Sequence, residues 1–399
     1  MNKKTIRDID LRGKRALVRV DFNVPMDKAS HRILDDTRIR AALQTIAYLR
    51  ERGASVVLMS HLGRPDGNVV EDLRVAPVAA RLAELLAVPV PCATDVAGPS
   101  ARAIVAAIRP GGVAMLENVR FEPGEERDDP ELAKQLAAFG DVYVNDAFGT
   151  AHRAHASTAG VAAYLPAVAG LLMEKEIDYL GRVVSDPVRP VAAIIGGAKI
   201  STKIGVLRHL LSKVDVLLVG GGMASTFLKA QGVDVGASLV EDGQLDDARA
   251  IIAEAARRGV GLALPVDAVV AERFAADARP RTVGIDAVPV GWMILDVGPD
   301  TVRAYEAKLA PAKTVVWNGP LGVAEWPAFA QGSVALARFL AASPATVIIG
   351  GGETVALVTE LGMAPSYAHV STGGGASLEF LEGRTLPGVA ALLDREAGR

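Results

Sequence analysis

Four arginines and a histidine stand where a chain could gather charge for an anion. Arg38 opens the stretch DDTRIRAAL, His61 and Arg64 lie in SHLGRP, Arg120 in LENVRF and Arg153 in AHRAHAS. Guanidinium donors form a planar fork that suits carboxylate and phosphate. Asp21 and Asn23, in VDFNVP, are able to hold hydroxyls. Taken singly, each arginine is better explained as a solvated surface residue and each histidine as a turn residue. Their recurrence at the ends of separate apolar runs favours one small, multiply anionic ligand. The second half carries glycine clusters at the same kind of place: Gly196-Gly197-Ala198-Lys199, Gly220-Gly221-Gly222, Asn318-Gly319-Pro320, Gly350-Gly351-Gly352-Glu353-Thr354 and Gly373-Gly374-Gly375. Glycine lets a phosphate approach backbone N–H groups, and a following helix N-terminus adds positive potential. Lys199 and Lys203, four apart, share a helix face if a helix begins near Lys199, and both could then reach one phosphate chain.

Such residues need a scaffold that brings strand ends together. The apolar runs Arg15–Asp21, Ser55–Met59, Val113–Leu116, Asp141–Val144, Val191–Ile195, Val214–Val219, Thr314–Trp317 and Thr346–Ile349 are continuous rather than alternating. That pattern suits strands buried on both faces of a parallel sheet. Helix-like stretches fall between them: Asp36–Arg52, Ala76–Leu86, Glu131–Phe139 and Asp246–Arg258. The alternation predicts a doubly wound α/β architecture, whose ligands bind beyond the carboxyl ends of the strands. Leu171–Val184 reads as an amphipathic connecting helix closed by Ser185, Asp186 and Pro187. We therefore expect a first domain over 1–170, a connector over 171–187 and a second domain from 188.

The 399 residues exceed what one core usually supports, which agrees with two domains. With 43 Lys+Arg against 46 Asp+Glu the net charge is −3, which disfavours general nucleic-acid or membrane-surface binding. Cys92 is the only cysteine, so no intramolecular disulfide is available and a reducing, cytoplasmic setting is expected. The N-terminus, MNKKTIRDIDLRGKR, has no apolar segment that would indicate export or an anchor. Nucleotide fingerprints fail. GGAKIS has the wrong order for GxxxxGK[ST], and Ser225 stands at the last glycine position of a GxGxxG begun at Gly220. Six histidines and one cysteine show no zinc spacing, and no GxSxG elbow occurs.

Together VRVDFNVP, DDTRIRAAL, SHLGRP, LENVRF, VNDAFGTAHRAHAS, GGAKISTKI, LLVGGGMASTFL, VVWNGPLGVAEW, GGGETVA and STGGGASLEFLEG resemble the phosphoglycerate kinase family, in its order and over nearly the whole chain. The resemblance implies two Rossmann-like domains with a hinge and central cleft, and reversible ATP-dependent phosphorylation of the carboxylate of 3-phosphoglycerate to 1,3-bisphosphoglycerate. It implies a cytoplasmic monomer using Mg²⁺, with ATP/ADP as co-substrate. By motif, Asp21, Phe22, Asn23, Arg38, His61, Leu62, Gly63, Arg64, Arg120 and Arg153 would bind the acid on the N-terminal domain. Gly197, Ala198, Lys199, Lys203, Gly220, Gly221, Gly222, Asn318, Pro320, Glu325, Gly351, Gly352, Glu353 and Thr354 would bind the nucleotide, with Glu325 on the ribose. Arg38, Lys199, Lys203, Gly373 and Gly374 would be catalytic. The nucleotide domain would extend to residue 385, and the segment 386–399 would return to the N-terminal domain. The family usually has Asp where this chain has Glu353, so metal binding there is expected either through a shifted turn or through water.

A carboxylate nucleophile is already ionised at neutral pH and needs no general base. Catalysis is then expected to be positioning plus charge stabilisation, completed by hinge closure around the connector. Two other classes remain open at this point. A two-lobed, non-catalytic binding protein is weakened by the lysines and glycine clusters, and a dehydrogenase by the broken GxGxxG.

Overall fold

β1 (Arg15–Arg19), β2 (Ser55–Met59), β3 (Val113–Met115), β4 (Val142–Asn145) and β5 (Ala167–Ala169) form one sheet in the order β3-β2-β1-β4-β5. Every pairing in it is parallel, with Val18 beside Leu58 on one side and Val144 on the other. The computed structural model describes residues 2–27 and 29–395. Helices Thr37–Glu51, Ala76–Leu86, Pro99–Ala107 and Pro130–Ala137 join the strands. The apolar runs are continuous because both faces are covered; β2 is buried at every position. From β1 the chain winds one way to β2 and β3, then returns to the other side for β4 and β5. The carboxyl ends of β1 and β4 therefore flank a switch point, the place where open α/β sheets bind ligands.

The chain divides into two compact units, Met1–Asp178 with Thr385–Arg399, and Tyr179–Arg384. The division falls inside helix Leu171–Ser185 rather than at its ends. That helix starts on Asp146, whose Oδ1 accepts from Leu172 N at 2.9 Å and Met173 N at 3.2 Å. The C-terminal segment packs on the first unit. Leu393 N donates to Ala167 O at 2.9 Å, Lys4 N donates to Leu393 O at 2.7 Å, and Leu386, Val389 and Leu392 are buried.

In the second unit β6 (Val191–Ile195), β7 (Val216–Val219) and β8 (Gly261–Ala263) precede an antiparallel insert of β9 (Asp267–Ala271), β10 (Arg281–Gly284) and β11 (Met293–Val297). β12 (Thr314–Asn318), β13 (Thr346–Gly350) and β14 (His369–Val370) complete a six-stranded parallel sheet, ordered β14-β13-β12-β6-β7-β8. Its core is built around Trp317, Tyr305 and Ile194. Here the order reverses between β6 and β12, the ends of which carry Gly196-Gly197 and Asn318-Gly319. The three-stranded insert departs from the expected uniform strand–helix rhythm. Its strands pair antiparallel, and β10 is largely exposed and carries no continuous apolar run.

Candidate active site

Three loops are tied together at the mouth of the first sheet. Phe22 N donates to Ser60 Oγ at 2.9 Å, and Gly63 N donates to Asn23 Oδ1 at 2.9 Å. Asn118, following β3, accepts from Leu62 N at 3.2 Å and donates through Nδ2 to Leu62 O at 2.8 Å. Phe22 and Leu62 are thus buried supports, and Asn23 holds a loop as well as presenting an amide. Gly63 has φ +64°, and a Cβ there would strike Leu73 at 2.6 Å.

On this frame, Arg38 Nη1 meets Asp21 Oδ2 at 2.7 Å. Arg120 is 5 % exposed, and its Nη1 donates to Gly63 O at 2.7 Å. Its Nε lies 3.0 Å from Glu126 Oε1 without a hydrogen bond. Arg153 is half-buried, with Nε 3.3 Å from His152 Nε2. His61 sits among them, 4 % exposed, and its pKa is held well below the ordinary histidine value. Burial is the main cause, and the charges of Arg19, Arg120, Arg153 and Arg38 add to it. His155 is lowered to about 4, first by burial and then by Arg120, Arg19 and Arg153. Both rings are neutral near pH 7, beside four guanidiniums. A pocket with that excess of positive charge favours an anion. Arg64 is the expected residue that stands apart: it is exposed and forms no ion pair with another described residue. Arg19 is not among the expected residues. The second arginine of RALVRVD, flanked by valines inside the apolar run, is the available signal.

The second unit gathers its residues at the β6–β12 switch. A cleft of about 480 Å³ is lined by Gly197, Ala198, Lys199, Lys203, Asn318, Gly351, Gly352 and Glu353, joined by Thr202 and Gly319. Lys199 and Lys203 do not share a helix face. Ser201 N and Oγ bond Glu241 at 2.9 and 2.6 Å, and Thr202 Oγ1 donates to Lys199 O at 2.9 Å. These local bonds compete with helix formation, so the helix starts at Ile204 with Lys203 as its N-cap residue. Both lysines still reach the cleft. Lys203 donates to Asn318 Oδ1, and burial, opposed by Glu353 and Glu382, pulls its pKa down to about 8. Asn318 Nδ2 is buried without a hydrogen-bond partner at the cleft wall.

The glycines divide by what lies against them. A Cβ on Gly221 would meet Gly197 O at 2.6 Å, one on Gly222 would meet Ala198 O at 2.9 Å, and one on Gly220 would meet Leu321 at 2.3 Å. That cluster is explained by backbone packing behind the cleft, as is Pro320, whose carbonyl accepts from Gly197 N at 3.0 Å. Thr354 is a buried brace accepting from Gly319 N at 2.8 Å, and Glu325 is exposed on a loop outside the cleft lining. A Cβ on Gly352 would meet nothing within 4 Å, so protein packing does not demand glycine there; Gly374 is equally open, but its φ of +51° itself favours glycine. Gly373 N donates to Ser371 Oγ at 3.1 Å, just ahead of helix Gly375–Leu381.

Among the described residues no group of three or more His, Cys, Asp or Glu side chains could hold a metal ion, and no helix is long and apolar enough to cross a membrane. Glu353 alone faces the cleft as a carboxylate. That suits Mg²⁺, which binds through one or two carboxylates plus substrate phosphates and keeps several waters.

The family model for phosphoglycerate kinase matches residues 6–384. The chain is 58 % identical over 395 residues to the phosphoglycerate kinase of Moorella thermoacetica, covering 99 % of this chain and all of that one. It is 58 % identical over 396 residues to that of a Roseiflexus species, with the same coverage. Among solved structures, the phosphoglycerate kinase of Coxiella burnetii superposes with a TM-score of 0.89 at 45 % identity, over 98 % of each chain. That of Pyrococcus horikoshii gives 0.82 at 33 % identity, again over 98 % of each. The fold that carries these two sheets is thus shared along nearly the whole length with enzymes of one kind. The chain belongs to the phosphoglycerate kinase family, whose work is reversible ATP-dependent phosphoryl transfer in glycolysis on the small molecules 3-phosphoglycerate and ATP.

Proposed function

We propose that the guanidinium pocket of the first unit holds 3-phosphoglycerate and that the glycine-lined cleft of the second holds Mg-ATP. The observation that carries this reading is the convergence of Arg38, Arg120 and Arg153 on a buried neutral histidine. Asp21 and Asn23 receive the glycerate hydroxyl, while His61, Arg120 and Arg153 hold the phosphate; Arg64 joins them on binding. Lys203 and Asn318 bind the nucleotide phosphates, the unpartnered Asn318 Nδ2 being a donor in wait for an oxygen. The loop Gly220–Gly222 backs the adenine side and Glu325 takes the ribose hydroxyls. Mg²⁺, held at Glu353, supplies charge neutralisation on the nucleotide phosphates.

The acceptor carboxylate is ionised before it arrives, so no residue has to remove a proton. One carboxylate oxygen bonds to the γ-phosphorus as the bond from that phosphorus to the bridging oxygen breaks, and ADP leaves with the electron pair. Arg38 and Lys199 stabilise charge on the transferring group, and the amides of Gly374 and of Gly373, the latter once its N–H leaves Ser371 Oγ, add donors to it. Asp21 keeps Arg38 extended until substrate arrives. Because the reading assigns the two ligands to different units, transfer requires hinge closure around residues 171–187, which also excludes water from the acyl phosphate. We read the enzyme as a cytoplasmic monomer with small-molecule partners only, as its near-neutral charge and glycolytic family role suggest.

The test is ADP release from ATP and 3-phosphoglycerate in a coupled assay, with Arg38→Ala as the variant. Turnover is expected to fall by about 10² to 10³, the usual scale for losing one preorganised donor to a developing charge. The Kd for ATP is expected to stay within about twofold, since a charge so distant in role adds little to nucleotide affinity. Equal loss of both would contradict the division of ligands between the units.

A further inference from the structure

Beneath the substrate pocket lies a chain of hydrogen bonds whose direction is forced at each link. Arg19 is 1 % exposed and lies in β1. Its guanidinium has donors only, with no lone pair to offer. Nε donates to Ser157 Oγ at 2.9 Å, Nη1 donates to Val20 O, and Nη2 lies 3.3 Å from His61 Nδ1. Since Ser157 Oγ accepts from Arg19, its own hydrogen is left for Glu125, whose Oε1 it meets at 2.5 Å. Glu125 Oε2 accepts from Ser157 N at 2.9 Å, so the buried carboxylate fixes the serine and the serine fixes the guanidinium. Tyr143 Oη, donating to Ser157 O at 3.0 Å, steadies the same turn.

At the other end of this chain, His61 Nδ1 can only accept. A proton on it would set two N–H groups head-on at 3.3 Å in a buried site. Asp21 Oδ1, at 3.9 Å from Nδ1, is too far to accept such a proton. Nε2 has no hydrogen bond to another described residue and is not sealed from solvent. We infer that Arg19 is a positioning residue for the known reaction: without touching substrate, it locks His61 as the Nε2–H tautomer and so presents an N–H donor to the anion. The groups that face this ring are Arg19, Arg38, Arg120, Arg153 and Asp21, and the four cations all disfavour the imidazolium. Every side chain proposed to hold the phosphate is then a donor, with no acceptor lone pair to repel it. The inference rests on the pocket being the 3-phosphoglycerate site.

The direct test needs no variant. Wild-type protein labelled with ¹⁵N-histidine is read by long-range ¹H–¹⁵N correlation, with His61 assigned from the signal lost in His61→Gln. Nδ1 is expected in the unprotonated range and Nε2 in the protonated range throughout pH 5.5–8, a window set on either side of the ordinary histidine value of about 6.5. A protonated Nδ1, as the other tautomer or as imidazolium near pH 6, would overturn the inference. Arg19→Met supplies the second reading. When it folds, His61 is expected to populate both tautomers and KM for 3-phosphoglycerate to rise roughly tenfold, the worth of one oriented charge-assisted bond. KM for ATP is expected to be unchanged. Retention of pure Nε2–H in folded Arg19→Met would show that Arg19 does not set the tautomer. Titrating 3-phosphoglycerate into the same wild-type sample keeps the two ideas apart. No binding there would sink the substrate assignment and leave the tautomer result standing.

Discussion

Lys203, in the role proposed for it on the nucleotide phosphates, has to be charged, yet it lies where burial penalises charge. Its pKa of about 8 is the outcome of burial working against Glu353 and Glu382. The sign of the consequence is fixed. Below pH 8 the folded enzyme carries the ammonium and the cleft is primed; as pH rises through that value the free enzyme loses it, while the unfolded chain holds its proton to about 10.4. ATP phosphates favour the charged form, so nucleotide binding above pH 8 must take up a proton. We expect KM for ATP to climb from about pH 8 upward while KM for 3-phosphoglycerate stays flat over the same range. Calorimetry of ATP binding at pH 8.5 in buffers of different ionisation enthalpy is expected to show the uptake. Lys203→Met is expected to abolish both the climb and the proton, at a KM roughly tenfold higher, the loss of one charge-assisted contact. An unchanged pH profile in that variant would assign the titration to another group.

Two carboxylates in the strands of the insert hold the starts of helices that come later in the chain, and this is where elements gain their placement. Asp267 accepts from Asp300 N at 2.9 Å and Thr301 N at 2.7 Å, at the head of helix Pro299–Leu309. Asp296, in β11, accepts from Val297 N at 2.8 Å and Gly332 N at 2.9 Å, the latter in the first turn of helix Gln331–Ala341. Burial outweighs those bonds and pushes Asp296 up to about 7. Between the ordinary carboxylate range and that value the folded state holds a proton the unfolded state has released, so stability falls as pH rises from 4 to 7. Asp296→Asn is expected to flatten this fall by up to about 1.4 kcal/mol per pH unit; urea unfolding at pH 4.5, 5.5 and 6.5 measures it. Parallel slopes in variant and wild type would place the proton elsewhere. Elements like these explain what was legible in advance. β1, β2, β6, β12 and β13 are doubly buried, so their apolar runs announce them, whereas β10 is exposed and β5, β8 and β14 are too short to do so. Arg120 and Arg153 could be read from the loops that follow strands and Arg38 from the head of a helix, but the role of Arg19, the last residue of β1, could not, because its direction depends on a bond to Ser157 from 138 residues away. Nor can sequence tell Gly221, pinned by Gly197 O, from Gly352, which faces open space.

At the scale of the molecule the two units draw on the chain unequally. The first unit is discontinuous: its sheet ends at β5, and it is completed by residues from the far terminus. Leu386, Val389 and Leu392 are each buried, Asn145 Nδ2 donates to Gly388 O at 3.1 Å, and Leu393 pairs with both Lys4 and Ala167. A Cβ on Gly388 would meet Ala151 Cα at 2.9 Å, so this segment lies flush against the loop that carries Arg153. Removing everything after Arg384 strips three core side chains worth about 1.5–3 kcal/mol each, a large share of the 5–15 kcal/mol that a domain has in hand. The second unit loses none of its own residues. All three tryptophans, Trp292, Trp317 and Trp326, belong to it, so tryptophan fluorescence reports on the second unit alone. A chain ending at Arg384 is therefore expected to lose part of its far-UV ellipticity at a markedly lower urea concentration than wild type. Its tryptophan transition is expected to stay near the wild-type midpoint, and its affinity for ATP to persist while 3-phosphoglycerate binding disappears. A tryptophan transition that moves together with the ellipticity would mean that the units unfold as one cooperative body, and that the terminal segment stabilises both.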